Sequence, residues 1–155
     1  MKRVAIFPGS FDPFTVGHQN IVERGLEIFD EIIIALGENS QKKYMFTLEQ
    51  RKTLISNVFH TKAKVHVDSY TGLTVNFAST KNAKFILRGI RNSRDLDFEQ
   101  AIAQMNRELN PEIETVFLVN KPEFSAINSS IVRDIHSNGG DVSSFLPKGI
   151  KLEEI

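Results

Sequence analysis

The stretch Arg3–His18, RVAIFPGSFDPFTVGH, decides how the rest of the chain reads. Val4-Ala5-Ile6-Phe7 is a short apolar run with the length and branching of a buried strand. Pro8 and Gly9 are expected to stop that strand and open a polar loop, and Thr15-Val-Gly-His18 opens the next amphipathic segment. His18 therefore falls near the start of a helix. Such a strand–loop–helix unit turns free backbone N–H groups and the positive end of a helix dipole outward, where an anion can use them. A histidine there can donate a hydrogen bond to the same anion. A tight βα turn with a surface histidine would read the same way.

Outward from this unit, strand-like and helix-like segments alternate. A helix is expected over Gln19–Phe29, with Val22, Leu26 and Phe29 on one face beside Ile21 and Ile28. Glu31–Leu36 reads as a second apolar strand, and Gly37–Tyr44 as a polar loop with a lysine pair. Thr47-Leu-Glu-Gln50 is a capping box, followed by Leu48, Ile55 and Phe59 at helical spacing. Further strands are expected at Lys64–Asp68, Lys84–Leu87 and Glu114–Val119. Helices are expected at Leu73–Thr80, Asp95–Leu109 and Ser129–Asn138. Phe98, Ile102, Met105 and Leu109 form one stripe of the long helix, with enough apolar surface for core or interface. Five strands separated by helices predict an α/β chain: a Rossmann-like, doubly wound, five-stranded parallel sheet with helices on both faces, in one domain over residues 1–155. Ligands of such sheets bind at the C-terminal ends of the strands. Gly9-Ser10, Lys42, Arg88–Arg91 and Phe124–Ser130 would meet there.

Composition sets the bounds. The 155 residues are 41% hydrophobic and 25% charged, as in an ordinary globular protein. A net charge of zero gives no global field for nucleic acid, so any anion site must be local. There is no cysteine, hence no disulfide or thiolate metal site, which suits a reducing compartment. Met1-Lys2-Arg3 leads straight into a strand without a signal-peptide pattern, and no window approaches a membrane span, so a cytoplasmic location is expected. No His/Asp cluster offers a metal cage, and magnesium is expected only with nucleotide phosphates.

Several residue groups carry candidate chemistry. Gly9, Ser10 and Phe11 could form a turn whose N–H groups and hydroxyl touch phosphate, and Gly17 would let a flat base approach the backbone. Lys42 and Lys43 could be a solvated basic loop or a phosphate contact. Arg88-Gly-Ile-Arg91 places two guanidinium forks behind a strand, suited to bidentate phosphate contacts. Ser129 and Ser130 fall in a first helical turn, where N–H groups and hydroxyls can face an anion, with Asn128 as a good N-cap. Asp95 and Asp97 read as dipole-favoured surface carboxylates. His60, His66 and His136 have no partner pattern.

GSFDPFTVGH resembles the (H/T)xGH signature of nucleotidyltransferases related to class I aminoacyl-tRNA synthetases, and PGSFDPxTxGH is similar to the bacterial phosphopantetheine adenylyltransferase family in particular. The resemblance continues through the lysine pair, FILRGIR, DFE-x5-MNREL and FSAINSS to DVSSFLP. It implies transfer of AMP from ATP to 4′-phosphopantetheine, giving dephospho-coenzyme A and pyrophosphate. It assigns catalytic work to His18, Lys42 and Arg91, with His18 stabilising charge on the α-phosphate. ATP contacts would come from Ser10, Phe11, His18, Gly89, Ile90, Arg91, Glu99 and the segment Phe124, Ser125, Ala126, Ile127, Asn128, Ser129 and Ser130. Ser10, Lys42, Thr74, Arg88 and Asn106 would hold the acceptor substrate. The resemblance also implies a homohexamer and feedback binding of coenzyme A. Asn128 stands where relatives carry serine, and Ala126 where they often carry an aromatic residue. A sibling cytidylyltransferase would share the opening loop, although the late segment FSAINSS differs from its RTxGISTT-like form, and a non-catalytic nucleotide-binding module is the other reading.

Overall fold

Along the central strands, side chains alternate between two apolar layers, as the period of two requires. Ala5, Phe7, Ile32, Ile34, Leu36 and Leu87 face one layer, and Val4, Ile6, Ile33, Ala35 and Ile86 the other. A computed structural model describes residues 1–155 and shows how these faces are covered. The elements run β1 (Val4–Gly9), α1 (Val16–Gly25), β2 (Glu31–Gly37), α2 (Leu48–Val58), β3 (Val65–Tyr70), α3 (Thr74–Thr80), β4 (Phe85–Ile90), α4 (Ser93–Leu109), β5 (Glu114–Val119) and α5 (Ser129–Ser137). The five strands are all parallel, in the order β3-β2-β1-β4-β5. This is the expected doubly wound, Rossmann-like sheet. Ile21 and Val22 of α1, Leu54 and Ile55 of α2 and Val132 of α5 pack on one face, while Val75 and Ala78 of α3 pack on the other. No helix is long and apolar enough to cross a membrane.

Several boundaries differ from the sequence reading. β1 does not stop before Pro8: it continues to Gly9, and Pro8 and Gly9 stay in register with Ala35 and Leu36 of β2. A proline fits here because only two pairs, Ala5–Phe85 and Ile6–Ile86, join β1 to β4, so no ladder bond on that side needs its N–H. Strand β4 runs through Arg88 and Gly89 to Ile90 instead of ending at Leu87, and β3 reaches Tyr70 instead of Asp68. Helix α1 covers Val16–Gly25, earlier than Gln19–Phe29, because Thr15 caps it. It lies close on the sheet at Gly25, where a Cβ would stand 2.8 Å from both Ile32 Cδ1 and Leu87 Cδ2. The capping box Thr47–Gln50 is present, and Asn128 caps α5 by accepting from Ile131 N at 2.9 Å.

Helix α4 begins two residues earlier than expected, at Ser93. Its apolar stripe is not core: Phe98, Met105 and Leu109 are 67%, 60% and 59% exposed. Of its residues only Glu99 is buried. The 3.6-residue period is thus present, but its apolar face finds no cover within the chain.

Candidate active site

Strands β1 and β4 part after Ile6 and Ile86, and the crevice opened at their C-terminal ends is the point where the strand order reverses. A cavity of about 310 Å³ fills it. Its wall includes Ser10, Phe11, His18, Lys42, Arg88, Gly89, Arg91, Glu99, Ile127, Asn128, Ser129 and Ser130, brought together from six segments of the chain. Ile90, Phe124, Ser125 and Ala126 do not line it; Ile90 is buried, and Phe124 backs the wall near Gly17.

The loop after β1 is held by groups that sequence reasoning did not single out. Buried Asp12 accepts from Met45 N at 2.8 Å and Phe46 N at 2.9 Å. Buried Arg51 donates to Ser10 O at 2.8 Å and Phe46 O at 3.1 Å, with its guanidinium 4.1 Å from the centre of the Tyr44 ring. These bonds fix Ser10 beside the second loop, and Lys42 Nζ donates to Ser10 Oγ at 2.8 Å.

His18 occupies the third position of α1 and completes a capping box. Its N–H donates to Thr15 Oγ1 at 3.4 Å, while Nδ1 accepts from Thr15 N at 3.0 Å. An accepting Nδ1 leaves the proton on Nε2, which has no partner in the chain and is free for the cavity. Phe11 and Phe14 pack around the ring, with centroids 5.0 and 5.3 Å away. Burial, reinforced by the charges of Arg88 and Arg91, lowers the imidazole pKa from 6.5 to about 3. His18 is therefore a neutral donor at physiological pH.

The two arginines are committed rather than free forks. Arg88 binds Glu99 through both oxygens, at 2.8 and 2.5 Å, and also donates to Pro8 O across the gap between β1 and β4. Glu99 is not a solvated helix carboxylate; it is 8% exposed and orients Arg88. Arg91 donates from N and Nε to Asp95 Oδ2 at 3.0 Å each, and from Nη2 to Oδ1 at 3.3 Å. Asp95 is thus a cavity residue, not the surface carboxylate expected. Burial pushes its carboxyl up, but the hydrogen bonds from Arg91 outweigh this and hold it below the usual aspartate value.

At α5, the hydroxyl proton of Ser129 is already engaged, because Oγ donates to Pro13 O at 2.8 Å. The free donors are instead the N–H groups of Ser129 and Ser130, which have no acceptor in the chain. Arg133, one turn further along α5, donates to Asp12 O at 2.7 Å and Ser130 Oγ at 3.2 Å, and has no carboxylate partner. Sequence reasoning missed it, although its spacing from Ser129 places it on the same helix face.

A second cavity, of about 270 Å³, adjoins the first and shares Pro8, Gly9, Ser10, Arg88 and Glu99 with it. Thr74 and Asn106 line it, as does Tyr70, whose hydroxyl lies 2.8 Å from Thr74 Oγ1. Of the acceptor candidates, Thr74 and Asn106 line only this second cavity, Lys42 lines only the first, and Ser10 and Arg88 stand on the wall of both.

No group of three His, Cys, Asp or Glu side chains is placed to cage a metal. All three carboxylates of the first cavity are engaged: Glu99 by Arg88, Asp95 by Arg91, and Asp12 by the backbone N–H groups of Met45 and Phe46.

A cytidylyltransferase-like family model matches residues 6–135. Among solved structures, a bifunctional NMN adenylyltransferase/ADP-ribose pyrophosphatase from Francisella tularensis superposes with a TM-score of 0.74 at 18% identity, a likeness of fold. The match covers 97% of this chain, which spans only 46% of that one. The phosphopantetheine adenylyltransferases of Flavobacterium johnsoniae and Flavobacterium psychrophilum are 51% and 52% identical, over 98% and 97% of this chain and 99% of each relative. Identity at that level across essentially the full length of both relatives shows that this chain belongs to the phosphopantetheine adenylyltransferase family.

Proposed function

We propose that the chain transfers the adenylyl group of ATP to the phosphate of 4′-phosphopantetheine, giving dephospho-coenzyme A and pyrophosphate in coenzyme A biosynthesis. The observation that carries this reading is the junction of the two cavities at Ser10 and Arg88, beside His18. A nucleotide in the first cavity and a pantetheine arm in the second, along Thr74 and Asn106, would bring their phosphates together there. Ser10, Lys42 and Arg88 hold the acceptor phosphate. Arg91, Arg133 and the free N–H groups of Ser129 and Ser130 hold the triphosphate.

An acceptor phosphate oxygen attacks the α-phosphorus, the bond to the α,β-bridging oxygen breaks, and pyrophosphate leaves. The nucleophile is already anionic, so positioning and electrostatics do the work and no general base is required. His18 Nε2–H donates to the non-bridging oxygens, and as a neutral imidazole it keeps that single N–H at physiological pH. Lys42 supplies a mobile point charge between donor and acceptor phosphates. Magnesium enters as part of the ATP substrate, held by its phosphates, since the cavity carboxylates are already occupied, Glu99 and Asp95 by Arg88 and Arg91 and Asp12 by two backbone N–H groups.

The exposed stripe Phe98, Met105 and Leu109 supports self-association, as the homohexamer implied by the family would require. Coenzyme A, which contains the same pantetheine arm, would compete for the second cavity as a feedback ligand. A cytoplasmic setting fits the ATP substrate and the absence of cysteine. Sedimentation showing a stable monomer at micromolar concentration would remove the hexamer.

The test is pyrophosphate release with magnesium, phosphopantetheine and either ATP or CTP. ATP alone should support turnover. Preference for CTP would assign the chain to a cytidylyl transfer, and no release with either would mean a binding module. Pantetheine without its phosphate should not react, since it lacks both nucleophile and anchor. Lys42→Ala should slow transfer while leaving ATP binding largely intact.

A further inference from the structure

Asn120 carries a side chain that none of the roles above uses. It follows β5 directly, and its N–H donates to Ile90 O at 2.8 Å, which pins it to the end of β4. Its amide makes no hydrogen bond within the chain, and Oδ1 is the one buried side-chain oxygen or nitrogen left without a partner. Buried polar groups are almost always satisfied, so an orphan on a cavity wall points to a group that arrives with a ligand.

The surroundings say what kind of ligand. A Cβ on Gly89 would stand 2.9 Å from Oδ1, and one on Gly17 would stand 3.7 Å from Nδ2. Ile21 lies against the same side of Gly89, and Ile127 lines the same cavity. Two glycines, two isoleucines and an amide make an uncharged slot. The cations are engaged elsewhere on the wall: Lys42 at Ser10, Arg88 at Glu99, Arg91 at Asp95 and Arg133 at Asp12 O. A flat, neutral heteroaromatic ring fits the slot, and a phosphate does not.

We propose that Asn120 reads the nucleotide base, its amide pairing with the 6-amino edge of adenine. Oδ1 accepts from the 6-amino group and Nδ2 donates to the adjacent ring nitrogen, the bidentate match between an amide and adenine. Rotation about χ2, a broad torsion in asparagine, turns the oxygen from Gly89 toward the cavity without moving the backbone. The inference rests on ATP being the nucleotide of this site, and makes Asn120 a specificity-determining residue.

The test combines two deletions. ATP and its 6-deamino analogue, purine riboside triphosphate, are compared by equilibrium binding and by kcat/KM with phosphopantetheine. The proteins are wild type, Asn120→Leu and Asn120→Ala. Wild type should prefer ATP by about tenfold, the scale of one satisfied hydrogen bond, and both variants should treat the two nucleotides alike within about twofold. The loss should fall on KM for ATP more than on kcat. Without nucleotide, Asn120→Leu should melt no lower than wild type, because it removes the unpaired oxygen. A variant that keeps the wild-type preference for ATP would overturn the proposal, and a lower melting temperature with that preference intact would make Asn120 a packing residue. Absence of turnover in wild type would count against the proposed function, while the binding comparison would still decide Asn120.

Discussion

Strand β1 treats its two neighbours differently. Along β2 it is in register over six residues, Val4 to Gly9; along β4 it pairs only at Ala5 and Ile6. The first seam is dry and closed, flanked by Phe7, Ile32, Ile34 and Leu36, all in one apolar cluster. The second opens into a crevice where Arg88 replaces ladder bonds by reaching across to Pro8 O. The closed seam supplies folding free energy, and the open seam supplies donors without partners: His18 Nε2, the N–H groups of Ser129 and Ser130, and the Asn120 amide. A sheet that zipped fully on both sides of β1 would have no place for a nucleotide.

This division can be broken first at the open seam. His18→Ala should lower turnover by about a hundred- to a thousandfold, or about 3–4 kcal/mol, the usual loss for one preorganised donor. ATP affinity should change by less than about tenfold, because only the part of the contact that strengthens in the transition state raises the rate. Abolished affinity with normal turnover at saturation would make His18 a binding residue.

At the closed seam the pattern should invert. Ile34 is fully buried and in register with Phe7, so Ile34→Ala should cost about 2–5 kcal/mol in denaturant unfolding. Turnover per folded molecule should stay near wild type. A large fall in kcat for the folded fraction would mean the two seams are not separable.

The pH dependence of stability sharpens the contrast. The His18 pKa is about 3 when folded and 6.5 ordinarily, so the unfolded chain binds the extra proton between those values. Its contribution is therefore present above pH 6.5 and is lost as pH falls toward 3. Asp30, Glu31, Asp68 and Asp95 are held low, from ordinary values of 3.8 to 4.5, so their losses come mainly below pH 4.5. Stability should thus decline between pH 6.5 and 4.5 in wild type, and His18→Ala should flatten that decline. The smallest effect belongs to Asn128→Ser, which exchanges one good cap for another and should shift stability by less than about 0.5 kcal/mol in thermal melting.

Much of the closed seam is legible in the sequence, because its signals are local. EIIIAL reads as a buried strand without reference to any other part of the chain, and Thr47 and Gln50 announce their capping box within four residues. The open seam depends on pairs far apart in sequence. Arg88 and Glu99 are separated by eleven residues, and Arg88 and Pro8 by eighty, so a motif shows the arginine but not what occupies its fork. Asp95 pairs with Arg91 only four residues away, but nothing local shows that the end of β4 turns this pair into the cavity. The sequence puts Ser129 at the first turn of α5, yet the direction of its hydroxyl is set by Pro13, 116 residues away. Asn120 carried no signal beyond its place just after β5. On α4 the sequence shows the period of the stripe, but periodicity reports which residues share a face and not what covers it.

The central claim is that the open seam presents a neutral imidazole with its proton on Nε2, and the nitrogen chemical shifts of His18 test it most directly. In uniformly 15N-labelled protein the account predicts a protonated Nε2, an unprotonated Nδ1 held by Thr15 N–H, and no titration of this ring between pH 8 and 5. A ring that titrates near pH 6.5, or carries its proton on Nδ1, would contradict it.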